Sequence, residues 1–156
     1  MELRTDKIRA CFDRRIGNFT ELWNLSTNTN YVRCAPHDPL IELYGLKNGE
    51  RIKLPGRISE VEEAPDALIL SYDSFGKYDI SAKVTCRCEQ DRLVFSAEIC
   101  NHSTINVTEI LMPHLGGIYL GNGQKDYLIY PHHAGDKTED PVYNYAENRM
   151  TFWRGC

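Results

Sequence analysis

No stretch of this chain approaches the ~20 consecutive apolar residues that a bilayer-crossing helix needs, and no membrane partner is expected. Nor is there a basic stripe. Eighteen Lys and Arg face 22 Asp and Glu, the formal charge is −4, and the cations are scattered. Without a patch that could neutralise phosphates, nucleic acid is not an expected partner. The opening "MELRTDKIRACFDRR" lacks the apolar core of a secretory signal, so the chain as given is expected to be cytoplasmic. Helical periodicity is almost missing as well. The one weak candidate, "RISEVEEAPD" at residues 57–66, is cut short by Pro65.

Several chemical signatures are also lacking. There is no G-x-S-x-G elbow and no Cys–His arrangement in a recognisable nucleophilic context. "GNGQKD", Gly121 to Asp126, reads as a hairpin loop with Asn122–Gly123 suited to positive φ. It is not a phosphate loop, because no helix follows and the Lys–Ser/Thr pair is missing. Asp13, Asp38, Asp73 and Asp79 are scattered and nominate no glycosidase dyad, while Glu60, Glu62 and Glu63 read as a solvated face. No internal repeat, low-complexity tract or linker divides the chain, so residues 1–156 are read as one domain.

What is present is a succession of strand signals. "KIRACFD" and "NFTELWN" flank a turn at Ile16–Gly17, and "PLIELYG", "ERIKL" and "ALILSYDS" follow between Gly, Pro, Asn and Asp. The clearest unit is "YDISAKVTCRCEQDRLVFSAEICNH". There Tyr78, Ile80, Ala82, Val84, Cys86 and Cys88 alternate with polar residues, Gln90–Asp91 turns the chain, and Leu93, Phe95, Ala97 and Ile99 form the buried face of the return. A period of two means one packed face and one wet face. "NVTEILMPHL" is expected to continue this meander. About ten short strands spaced ~8–12 residues apart predict an all-β, antiparallel two-sheet sandwich, since a half-wet sheet must cover its apolar side.

The six cysteines are expected as buried free thiols, and four Asn-x-Ser/Thr sequons, at Asn18, Asn24, Asn101 and Asn106, matter only after secretion. Cys86 and Cys88 share a strand face about 7 Å apart. No second ligand pair accompanies them, so they read as small buried hydrophobes, and neither metal nor cofactor is expected. His132 and His133, beside Asp136, fall between Pro131 and Gly135. In a loop, both rings could address one ligand and serve as acid or base, or contact a sugar or a domain interface. His114, before Gly116–Gly117, reads as a structural histidine at a bulge or close approach. Rings such as Trp23, Tyr31, Tyr127, Tyr130 and Trp153, set beside polar loop groups, suit the apolar faces and hydroxyl rims of sugars. "NRMTFWRGC" stops on an apolar run with no polar tail. The expectation is an N-terminal part of a longer multidomain protein, with Phe152 and Trp153 near a docking surface.

"CFDRRIGNFTELWNLSTNTNYVR", with Gly17, Leu22, Asn24, Thr27 and Tyr31, resembles the opening of the N-terminal β-sandwich domains of large bacterial glycoside-hydrolase-like proteins. "MPHLGGIYLGNGQKDYLIYPHHAG" is similar to their later strands through Pro113, Leu115, Gly117, Asp126, Leu128, Pro131 and Gly135. The resemblance implies a galactose-mutarotase-like supersandwich that precedes a catalytic (β/α)₈ barrel and lends loops to a carbohydrate cleft. The hydrolytic carboxylates belong to the barrel, so no catalytic residue carries over. Two alternatives stand beside this reading. One is a mutarotase-like sugar epimerase with His132 or His133 as its acid, for which no Glu base aligns. The other is a free-standing carbohydrate-binding module.

Overall fold

The computed structural model describes residues 1–32 and 37–115, together with the backbone of the strands Tyr127–Tyr130 and Asp136–Glu139. Along the chain the strands are β1 (Glu2–Arg4), β2 (Ile8–Phe12), β3 (Phe19–Asn24), β4 (Thr29–Asn30), β5 (Glu42–Lys47), β6 (Glu50–Leu54) and β7 (Gly56–Glu63). After these come β8 (Ala67–Phe75), β9 (Ile80–Glu89), β10 (Arg92–Asn101), β11 (Asn106–Leu111), β12 (Tyr127–Tyr130) and β13 (Asp136–Glu139). The protein is all-β with antiparallel sheets, as its alternation predicts, and the described residues contain no helix.

The chain divides into two units, Met1–Tyr119 and Leu120–Cys156. The first holds three sheets, in the orders β1-β2-β3-β4, β10-β9-β8-β7 and β11-β5-β6. Their apolar sides share one core. Leu3, Ala10, Phe12 and Phe19 come from the first sheet, Leu68, Leu70, Tyr72, Ile80, Val84 and Cys86 from the second, and Leu43 and Leu54 from the third. The described part of the second unit is the hairpin β12–β13, paired from Tyr127↔Glu139 to Tyr130↔Asp136.

The hairpin of β9 and β10 follows the predicted alternation and turn. Ile80, Ala82, Val84 and Cys86 are buried, Glu89 pairs with Arg92, and Gln90 turns the chain at φ +49°. On β10, however, Leu93, Phe95, Ala97 and Ile99 are only half-buried. Alternation gives the face but not the depth, and among the described residues β10 pairs on one side only, with β9.

Two expectations are corrected. "RISEVEEAPD" is not helical: its first seven residues lie in β7, with Glu60, Glu62 and Glu63 exposed and Ile58 and Val61 half-buried. Pairing with β8 overrides helical propensity there. The strand beginning at Asn106 does not continue the meander either, because β11 pairs with β5. Between β10 and β11, Asn101 accepts the Ser103 amide at 3.0 Å and donates to the Ile105 carbonyl at 2.9 Å. That turn buries Ile105 and redirects the chain. Gly45 then admits β11, since a Cβ there would stand 2.9 Å from the Asn106 carbonyl oxygen. Arg51 of β6 fastens the far side, donating to both carboxylate oxygens of Glu109 at 3.0 and 2.8 Å.

Candidate functional site

Of the four residues nominated from sequence, His132, His133 and Trp153 lie outside the described residues, as do Gly116–Gly117 and the Asn122–Gly123 loop. Asp136 opens β13 opposite Tyr130, so it follows in sequence the His132–Gly135 segment it was expected to accompany. Two openings in the first unit gather the remaining chemistry.

The larger is a groove of about 420 Å³, a size usual for small-molecule sites. Its apolar wall comes from Ile8, Phe19, Leu22, Leu93, Phe95 and Leu115. Phe19 of β3 meets Phe95 of β10 edge to face at 6.1 Å, which joins the two sheets at this seam. Tyr31 belongs to the wall because its amide donates to the Leu22 carbonyl at 2.8 Å, extending the pairing one step beyond β4. Trp23 also borders the groove, its indole N–H held by Glu21 Oε2 at 2.8 Å. The rim is polar. Lys7 Nζ reaches Asp91 Oδ2 at 3.8 Å, and Asn24 folds its own turn by accepting the amides of Ser26 at 3.0 Å and Thr27 at 3.2 Å. Both members of the Lys7–Asp91 pair are exposed, so it contributes little to stability and remains open to a ligand.

The second opening, about 270 Å³, lies beside Glu42. Register explains the grouping, for Glu42 and Tyr44 are two apart on β5 and Tyr44 pairs with Lys53 of β6. These three side chains therefore share one face. Glu42 is 3% exposed yet charged. Lys53 Nζ and the Tyr44 hydroxyl, the latter at 2.9 Å, donate to its carboxylate. Burial pushes this carboxyl up. Those two hydrogen bonds, with the charges of Lys53 and His114, outweigh it and hold the group below its ordinary value.

His114 contributes both backbone and ring. Its amide donates to Leu40 at 2.8 Å and its carbonyl accepts from Asn18 Nδ2 at 2.8 Å. Nδ1 lies 3.6 Å from Glu42 Oε1, too far for a hydrogen bond, and is buried without one among the described residues. The main chain of His114 is thus hydrogen-bonded on both sides, but the expected satisfied ring is not found: Nδ1 has no partner among the described residues. The sequence offered a faint sign of Glu42, an acid set among the apolar residues of "PLIELYG". It offered none of Asn18, whose buried amide also donates to the Asp38 carbonyl at 3.0 Å.

The thiols divide by depth. Burial pushes Cys86 up to about 12, and the neighbouring Cys88 adds to the effect, so Cys86 behaves as a core residue. Cys88 is half-buried, while Cys100 is exposed, contrary to the expectation of uniformly buried thiols. Cys11, Cys86, Cys88 and Cys100 are all free thiols. Among the described residues, no group of three or more His, Cys, Asp and Glu is arranged to hold a metal ion. Compared with protein-family models, curated proteins and solved structures, the chain matches none.

Proposed function

We propose that this chain is a two-sheet β-sandwich of the galactose-mutarotase-like kind, acting as a non-catalytic accessory domain of a carbohydrate-active protein. Its partners in this reading are a carbohydrate and a catalytic barrel that follows it in the parent chain. The sandwich is supported by the shared core of the first two sheets and by the Phe19–Phe95 contact between them.

The observation that carries the sugar reading is the groove at that seam. An apolar wall with Tyr31 and Phe95 offers surface to the C–H face of a pyranose. Lys7, Asn24, Ser26, Asp91 and Arg92 supply donors and acceptors of both signs for its hydroxyls. Carbohydrate sites need both kinds of surface, and the mixed rim favours a neutral oligosaccharide over a purely apolar ligand.

The test is calorimetric titration of the chain with a panel of neutral oligosaccharides. Saturable binding is expected, and Tyr31→Ala should weaken it about tenfold through loss of the ring contact. Absence of binding across the panel, or a Tyr31→Ala variant with the parent affinity, would refute the groove as the sugar site. A polarimetric assay should also show anomers interconverting at the uncatalysed rate; acceleration by the chain would make it an epimerase instead.

A further inference from the structure

The cleft beside Glu42 has a polar lining that its structural role leaves partly unused. Arg15 and Lys53 bring two positive charges, Asp38 and Glu42 two negative ones, and His37 a further donor or acceptor. With histidine neutral, the charges sum to zero, so neither an anion nor a cation gains a net attraction there. Lys53 commits one of its three N–H groups to Glu42, and each Glu42 oxygen keeps accepting capacity. The inner wall adds an independent sign. Tyr72 lines the cleft, is 1% exposed, and its hydroxyl has no hydrogen-bond partner among the described residues. That hydroxyl lies against the turn at Gly17, where a Cβ would come within 3.5 Å of it. A buried hydroxyl left unpaired costs stability, and such a cost commonly marks a place that a ligand or a bridging water completes.

We propose that this cleft is a second binding site, distinct from the groove, for a small neutral polyol of about monosaccharide size. Hydroxyl groups both donate and accept, which matches a lining that alternates cationic donors with carboxylate acceptors at zero net charge. Pairing of the ligand's innermost hydroxyl with Tyr72, whose own oxygen is closed to water in the free chain, requires a small displacement of the cleft wall. The volume of about 270 Å³ admits one small ring and excludes an oligosaccharide from the interior. Nothing in this assignment depends on sugar binding at the groove.

The experiment is a ¹H–¹⁵N NMR titration with glucose, galactose and mannose, with inorganic phosphate and tetramethylammonium as charged controls. A neutral monosaccharide should give saturable shifts at the amides of Ile16, Gly17 and Lys53. Tyr72→Phe, which keeps the ring and removes the hydroxyl, should weaken that binding about tenfold while leaving Tm unchanged or higher. Tyr31→Ala should leave it untouched, which separates this site's failure from the groove's. The proposal falls if no monosaccharide saturates these signals, if phosphate or tetramethylammonium is the ligand that does, or if Tyr72→Phe binds like the parent.

Discussion

Asn18 directs all of its amide inward: Nδ2 donates to the Asp38 and His114 carbonyls, and Oδ1 accepts the Phe19 amide at 2.8 Å. One fully buried side chain therefore ties β3 to two segments 20 and 96 residues away. The sequon at this position is inaccessible in the folded chain for the same reason. Asn18→Ala removes three hydrogen bonds, leaving the buried Phe19 amide and two part-buried carbonyls without this partner, and it should cost about 3 kcal/mol in chemical denaturation. Asn18→Asp should also destabilise, since it replaces an amide donor with a carboxylate facing two carbonyl oxygens. Such a residue was not legible beforehand, because an Asn following a Gly reads most simply as part of a turn.

At the scale of elements, the period of two in residues 78–99 placed β9 and β10 and their turn, because a long amphipathic strand has little choice of face. Partners are another matter. The pattern of β11 fits a meander next to β10 as well as it fits the edge of β5, and only the turn at Asn101–Ile105 and the bare backbone of Gly45 decide between them. Gly45→Ala tests this. Its new methyl would press on the Asn106 carbonyl and the Ile105 and Leu54 side chains, at 2.9 to 3.3 Å. A loss of about 1–3 kcal/mol is expected, with hydrogen exchange accelerated in β11 more than in β9. Uniform acceleration across both strands would show that Gly45 does not govern this pairing.

For the whole molecule, the consequential charge is Glu42, buried where three elements meet. Its carboxyl lies below the ordinary 4.5 in the folded chain, so the unfolded chain binds more protons as pH falls through this range. Its contribution is complete above about pH 4.5 and is lost as pH drops through the lowered folded value. Glu2 and Glu109 are also held low, chiefly by hydrogen bonds from Arg9 and Arg51, but both are exposed and their effect is screened. Thermal unfolding between about pH 5 and 3 should therefore fall less steeply for Glu42→Gln than for the parent. Identical slopes would mean that the Lys53–Glu42–Tyr44 cluster is energetically silent.

Strand character, antiparallel pairing, the packed side of β9 and the burial of Cys86 were determined by the sequence itself, because each depends on near neighbours and on whether water touches one face. The tertiary structure alone decided that β11 joins β5, that β10 is only half-covered, that Phe95 meets Phe19, and that Glu42, Lys53 and Tyr72 border one cleft. Those outcomes depend on residues far apart in the chain meeting at an interatomic distance. A linear pattern of polarity carries the direction in which a side chain points, but not the identity of what it meets.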